Sequence, residues 1–271
     1  MKKVLIIIPT FNRGIMLKNV ITNIIDQTYT NWTLVIIDDG SNSKNIQSYN
    51  NLKTKYQNDK IIFMQNTINK GIGFTLNKGL KYLLRYENDY DYVTWISDDN
   101  IYYTNFIEEL VNSCDGYDFT HSIHKILKQN KQQRDVYTDY KTIDDILNNW
   151  RGCASFMWST NIIKINGLYR ENINGVEDYE YLLRTYSNTT NVNFVNKCLM
   201  TYKLHDDSLY TKKFNEIKKL TQIIKNQYIN KQPSVEETTT NNTKLINTST
   251  VHESINITNT SNILIYYSKK N

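Results

Sequence analysis

Tyr92-Val93-Thr94-Trp95-Ile96-Ser97-Asp98-Asp99-Asn100 is a short apolar run that stops on two adjacent carboxylates. A row of β-branched and aromatic residues reads as a buried strand, and the end of such a strand is where open α/β sheets place ligand-binding groups. Asp98 and Asp99 are therefore expected at a sheet's carboxyl edge. Neighbouring acids repel each other, so a cation should accompany them, and a hard divalent ion with oxygen ligands suits the position. The competing reading is a helix N-terminus, where an Asp cap needs no metal.

Working outward, apolar runs beginning at Val4, Leu34, Ile61 and Tyr92 recur about thirty residues apart, the length of a strand-helix-strand crossover. Val4-Leu5-Ile6-Ile7-Ile8 leads into the polar and aromatic loop Pro9-Thr10-Phe11-Asn12-Arg13-Gly14. A helix is expected over 15–28, its stripe of Met16, Val20, Ile21, Ile24 and Ile25 facing the core. Leu34-Val35-Ile36-Ile37 ends on Asp38-Asp39-Gly40-Ser41, so a second strand terminates in paired acids. A polar helix over 44–57, a strand over 61–64 and a helix over 74–86 with Leu76, Leu80, Leu83 and Leu84 inward return the chain to the opening strand. Residues 1–100 read as a parallel, doubly wound nucleotide-binding half.

Past Asn100 the regular alternation lapses. A helix over 104–112 and a strand over 117–126 precede a polar, charged stretch reaching 149. The run Trp150-Arg151-Gly152-Cys153-Ala154-Ser155-Phe156-Met157-Trp158 suits either the floor of a second pocket or an ordinary strand packed on a helix. After a turn over 166–170, an acidic helix start at Glu177-Asp178 has an apolar interior, and 199–204 reads as a strand ending on His205. Ile217, Leu220, Ile223 and Ile224 mark a helix over 214–228. Residues 231–271 turn to Thr, Asn and Ser, a tail or linker with too few apolar groups to repay its ordering entropy, apart from a possible edge strand at 263–267.

The 271 residues suffice for a sizeable core, and a net charge of +5 with Lys and Arg dispersed along the chain gives no reason to expect nucleic acid as a partner. No run approaches membrane-spanning length, so no integral membrane segment is expected and the default location is the cytoplasm. Cys114, Cys153 and Cys198 form no Cys-x-x-Cys pair and read as reduced thiols. Abundant Asn and Ile make sequons such as Asn241, Asn256 and Asn259 chance events, without bearing on secretion.

Six segments in this order resemble the family 2 glycosyltransferases, which have the GT-A fold, over roughly 2–209. Ile8-Pro9-Thr10-Phe11-Asn12-Arg13 resembles that family's nucleotide loop, Ile37-Asp38-Asp39-Gly40-Ser41 its base-binding turn, and Asn69-Lys70-Gly71 its Asn-x-Gly element. Asp98-Asp99 stands at its acidic metal motif, and Glu177-Asp178, with Leu182 and Arg184 downstream, is similar to its catalytic helix. Tyr202-Lys203-Leu204-His205-Asp206-Asp207-Ser208 resembles the late segment whose His approaches the metal. The resemblance implies a mostly parallel α/β sheet with helices on both faces, a donor half over 1–100, an acceptor-binding and catalytic half over 101–230, and a tail over 231–271.

It further implies transfer of a sugar from a nucleotide diphosphate sugar, with UDP favoured, to a glycan, protein or small-molecule acceptor, with inversion. Mn²⁺ or Mg²⁺ would bridge carboxylate and diphosphate, which a site of bare aspartates would repel. Asp99 and His205 are then the expected metal ligands, with Asp98 on the ribose or metal shell. Pro9, Thr10, Phe11, Arg13 and Asp39 would meet base and ribose; Lys70 would meet phosphate or ribose, or be a surface Lys beside a glycine turn. Asp178 is the expected general base, with Glu177 the runner-up or its orienter. One departure is Ser97, where the family often has an Asp two positions before the metal Asp. Pro9 to Gly14 lacks Gly-x-Gly-x-x-Gly, which excludes a dinucleotide dehydrogenase, and its single Gly and single Arg suit a nucleotidyltransferase poorly. A non-catalytic nucleotide-sugar-binding module stays open.

Overall fold

Unbroken apolar runs form the strands that are buried on both faces. In a computed structural model describing residues 1–128, 132–152, 154–205 and 209–230, β1 (Val4–Thr10), β2 (Trp32–Asp38), β3 (Ile61–Gln65) and β4 (Tyr92–Trp95) pair in parallel in the order β3-β2-β1-β4. The expected tail at 231–271 with its 263–267 strand, together with Cys153, Asp206, Asp207 and Ser208, lies outside the described residues. Helices α1 (Ile15–Ile25), α2 (Ser43–Tyr56) and α3 (Ile72–Arg85) make the crossovers.

The strand period of two divides these runs between two cores. Leu5, Ile7, Val35 and Ile37 meet Leu76, Leu80 and Leu83 of α3. Val4, Ile6, Ile8, Leu34 and Ile36 meet Leu17, Val20, Ile21 and Ile24 of α1. The sheet continues through β8 (Phe156–Ser159), β6 (Phe119–Lys128), β9 (Val192–Leu204) and β5 (Ile101–Tyr102), while β7 (Gln133–Val136) pairs with β6 off that path. Because β8 is antiparallel to both β4 and β6, and β6 and β9 are parallel, the carboxyl ends of β1, β2, β4, β6 and β9 share one edge. Helix α4 (Phe106–Cys114) covers the α1 face; α5 (Ile143–Asn149), α6 (Thr160–Asn166), α7 (Glu177–Asn188) and α9 (Phe214–Ile229) cover the α3 face. The short α8 (Leu209–Lys212) precedes α9.

Several sequence expectations need correction. Helix α1 stops at Ile25, short of Thr28, because Gln27 donates to the Tyr103 carbonyl (2.8 Å) and Thr28 N to the Thr104 carbonyl (2.9 Å), turning the chain toward α4. Its buried stripe runs through Leu17; Met16 and Ile25, read as core, are each 43% exposed. Ile223 of α9 is likewise 43% exposed. The polar stretch before 149 contains β7 and α5, the latter opened by a Thr142/Asp145 capping box. Phe156, Met157 and Trp158 are buried in the sheet, so the strand reading describes them and the pocket-floor reading does not. Among the described residues no helix is long and apolar enough to cross a membrane.

Helix α3 lies unusually close to β1. A Cβ on Gly79 would come within 2.7 Å of Ile7 Cδ1, and Ile7 is fully packed. Gly79→Ala should therefore lower stability by about 1–2 kcal/mol in urea unfolding, overpacking outweighing the roughly 1 kcal/mol gain in helix propensity. A more stable variant would contradict the close approach.

Candidate functional site

The opening strand delivers its acids into a set of donors. Past β4, Ile96 N donates to the Ile7 carbonyl (2.9 Å) and Ser97 N to the Tyr102 hydroxyl (2.8 Å), which fixes the turn carrying Asp98 and Asp99. Asp98 is buried and accepts from Thr10 Oγ1 at 2.5 Å. Arg13 bridges the pair, Nε 3.6 Å from Asp98 Oδ1 and Nη2 3.5 Å from Asp99 Oδ2. Ser97 Oγ donates to Asp99 Oδ1 (2.6 Å), and His205 Nε2 stands 3.1 Å from Asp99 Oδ2. Asn100 Oδ1 accepts from Lys203 N (3.0 Å), tying the turn to the end of β9.

Burial, and then the Asp99 charge, push the Asp98 carboxyl up to about 7, against the lowering effect of Thr10 and Arg13. Within the chain Arg13, expected against base and ribose, brings a cation to the acid pair. Ser97 compensates for its missing carboxylate by orienting Asp99. For a divalent ion the protein offers a hard carboxylate oxygen and an imidazole. Among the described residues no three His, Cys, Asp or Glu side chains form a ready cage. That donor set fits an ion drawing most of its shell from ligand and water oxygens, and the imidazole suits Mn²⁺ better than Mg²⁺.

The second acid pair ends β2. Asp38 accepts from Ser41 N (3.0 Å) and from the Ser41 hydroxyl, closing its own turn. Asp39 is buried and accepts from Asn66 Nδ2 (2.9 Å), Lys70 N (3.0 Å) and Gly71 N (2.8 Å). A carboxylate offers about four lone-pair sites, so Asp39 keeps one free among the described residues. The Asp39 and Lys70 turns touch backbone to backbone: a Cβ on Gly40, whose φ is +71°, would lie 2.3 Å from the Ile68 carbonyl carbon. The exposed Lys70 ammonium lies over the Phe74 ring, 4.6 Å from its centroid. On the β1 loop Pro9 is partly buried opposite Ile37, and Phe11 is 43% exposed. Asn12 holds a left-handed φ of 58°, its N donating to Ser41 Oγ (2.8 Å) and its Oδ1 accepting from Asn42 N (2.9 Å).

Glu177 and Asp178 begin α7 on the α3 face of the sheet. Glu177 is buried and accepts from Gly175 N at 2.5 Å; Asp178 is partly buried and accepts from Tyr179 N at 2.7 Å. Burial raises both carboxyls, and the Asp178 charge raises Glu177 further. Downstream, Arg184 pairs with Glu180 and donates to the carbonyls of Asn166 and Leu168, each at 2.7 Å. No hydrogen bond or ion pair joins this pair to Asp98 and Asp99 among the described residues. From the end of β4, Trp95 Nε1 donates to the hydroxyl of Tyr169 (3.1 Å), in the segment that precedes α7. Trp95 and Asn100 stand in the opening stretch and Tyr169 in the turn over 166–170, but neither they nor Tyr102 carried an expected role.

A cleft of about 540 Å³ opens at the carboxyl edge, lined in part by Met16, Asp98, Asp99, Lys128, Lys203 and His205. That volume is in the range of small-molecule sites. Met16, read as core, instead forms part of its rim.

The family model described as Glycosyl transferase family 2 matches residues 5–173. An uncharacterized glycosyltransferase of Rickettsia typhi is 25% identical over 227 residues, covering 78% of this chain and 67% of that protein. Among solved structures, Staphylococcus aureus TarS 1–349 in complex with UDP-GlcNAc superposes with a TM-score of 0.63 at 17% identity, over 82% of this chain and 66% of that one. The mannosyltransferase PcManGT from Pyrobaculum calidifontis, in complex with GDP-Man and Mn²⁺, gives 0.63 at 11% identity, over 85% and 65%. The chain thus spans about two thirds of the length of these relatives. The shared architecture is the GT-A fold.

Asp98 makes a prediction on stability. Its carboxyl binds a proton more tightly folded than unfolded, so the native state loses stability as pH rises from the usual carboxylate range to about 7, and no further above it. Asp98→Asn lacks that slope. Urea unfolding should find it more stable than the parent by about 1–3 kcal/mol near pH 8, with the gap closing toward pH 4. A gap independent of pH would refute the assignment.

Proposed function

The chain belongs to glycosyl transferase family 2, and from that premise we propose that it moves a sugar from a nucleoside diphosphate sugar, UDP-linked, to an acceptor hydroxyl with inversion, Asp178 acting as general base. The observation that carries the reading is the Asp98-Asp99 pair at the carboxyl edge of β4, bridged by Arg13 and touched by His205 beside an open cleft. Such a site receives an anionic diphosphate only where cations mediate. The solved relatives holding UDP-GlcNAc, and GDP-Man with Mn²⁺, favour the same donor class.

Each group has a task under this reading. Asp99 and His205 hold the divalent ion, Mn²⁺ before Mg²⁺, with Ser97 orienting Asp99. When bound, the ion supplies Lewis-acid stabilisation of the charge on the departing diphosphate. Arg13 is positioned to exchange its carboxylate partners for phosphate oxygens, and Asp98, held by Thr10, faces the ribose. Pro9 and the exposed Phe11 ring border the base, and the free lone pair on Asp39 accepts its ring N–H, which uracil has and cytosine lacks. Lys70, exposed beside Phe74, reaches the ribose or phosphate rim.

Inversion needs an acceptor hydroxyl attacking the anomeric carbon from the face opposite the leaving group while a carboxylate takes its proton. Asp178 is partly exposed and so reachable, whereas Glu177 is buried and held by Gly175 N, the arrangement of an orienting neighbour. Burial makes Asp178 a stronger base than an exposed carboxylate. The acceptor is a hydroxyl of a glycan, a protein or a small molecule. The free thiols of Cys114 and Cys198 suit a reducing compartment, and we assign the activity to the cytoplasm.

Asp178→Asn should keep donor affinity within about twofold while transfer falls by about 10² to 10⁴. Asp99→Asn should lose the metal-dependent part of donor affinity, read by calorimetry with and without Mn²⁺; equal loss of binding in both variants would count against these roles. Because Asp178 must be ionised, the transfer rate should rise with pH through an acid limb lying above the usual carboxylate range. A screen of sugar nucleotides with Mn²⁺ and candidate acceptors tests the whole reading: nucleotide binding without any turnover would favour a binding module.

A further inference from the structure

Residues 168–175 lead into α7 and set where Glu177 and Asp178 stand. The first turns of α3 grip that run at three points. At Gly73 the backbones come so close that a Cβ would lie 2.8 Å from the Arg170 carbonyl oxygen and 3.3 Å from Glu171 Cα. Asn77, fully buried, brackets Tyr169: its oxygen accepts from Tyr169 N (2.7 Å) and its amide donates to the Tyr169 carbonyl (2.9 Å) and to Glu171 Oε1 (2.8 Å). Gly71, with φ +89°, faces Asn174 so closely that a Cβ would lie 2.5 Å from both atoms of its amide. Asn174 Oδ1 is buried with no hydrogen-bond partner among the described residues, so this contact is packing alone.

The same turn is held from its other side by Asp39, through Lys70 N and Gly71 N. At the far end Gly175 N donates to Glu177 Oε2. Direct contacts thus run from Asp39 through Gly71 and Asn174 to the next residue, Gly175, and so to Glu177. Close-packed backbone transmits small displacements because it has no void to absorb them. We propose that Gly73 and Asn77 are positioning residues for Glu177 and Asp178, acting through the backbone of residues 169–175. This rests on the reading of Asp178 as the base.

Gly73 is the most incisive position, since its helical backbone accepts Ala without φ strain and the added methyl must push the Arg170 carbonyl away. The experiment uses Gly73→Ala and Asn77→Ala in the full chain, each first checked for cooperative urea unfolding. Asn77→Ala adds no bulk and carries the test if Gly73→Ala does not fold. Three quantities are read: steady-state transfer over pH, UDP affinity with Mn²⁺ by calorimetry, and amide hydrogen exchange over residues 168–182.

The expected result is kcat lower by about tenfold or more, UDP Kd within about twofold, a displaced acid limb in the pH profile, and faster exchange in 168–182. Unchanged kcat, or UDP affinity lost in step with kcat, would overturn the proposal. If the parent chain transfers no sugar from any donor, the functional reading fails separately, and exchange decides the positioning claim. Faster exchange in 168–182 then upholds it, and unchanged exchange overturns it.

Discussion

A carboxylate taken out of water must find hydrogen-bond donors or give up its charge, and this fold is arranged around that demand. Asp38, Asp39 and Asp98 are all buried at the carboxyl ends of parallel strands. Each meets the demand differently: Asp38 with its own turn, Asp39 with two backbone amides and Asn66, Asp98 with Thr10 and Arg13. The loops around the cleft take their shape from these obligations. Gly40 and Gly71 are needed where the Asp39 turn draws two backbones together at positive φ.

The parallel half was legible because burial on both faces is written as unbroken apolar runs, and acids at the ends of such runs stand out against them. Residues 101–230 were less so. Strand β9 carries extra residues against β6 between Val195 and Met200, which breaks its period, and only its end over 199–204 reads as a strand. Helix α5 announced itself only through Thr142 and Asp145, a signal easily lost in a polar stretch. In the site, residue types and order were readable, but partners were not. Arg13 and Asp98 are far apart in sequence, and only the parallel pairing of β1 with β4 makes them neighbours. Asn77 looked like one more polar residue on an amphipathic helix, yet it is buried and fastens the segment that precedes α7.

Arg13 also changes how the acid pair is understood. Beside the divalent ion expected there, the chain itself brings a guanidinium and an imidazole to one carboxylate oxygen. An arginine keeps its charge under all ordinary conditions and forms planar contacts with phosphate as readily as with carboxylate. On the proposed reading, an incoming diphosphate would meet an arrangement of charges already in place.

The split of the core by the sheet has a consequence for how such a protein can change over time. Asp98 and Asp99 rest on the face built from α1 and α4, where Tyr102 and Phe106 stack edge to face. Glu177 and Asp178 rest on the opposite face, where Tyr169 stacks on Tyr181. Repacking beneath one pair leaves the other pair's support largely untouched, since side chains on alternate faces of a strand do not meet. On the proposed reading, the lineage can thus drift toward new acceptors through one hydrophobic layer while its hold on the donor is kept by the other. The Gly71 and Gly73 contacts are where that independence ends, and inheritance there is of both halves together.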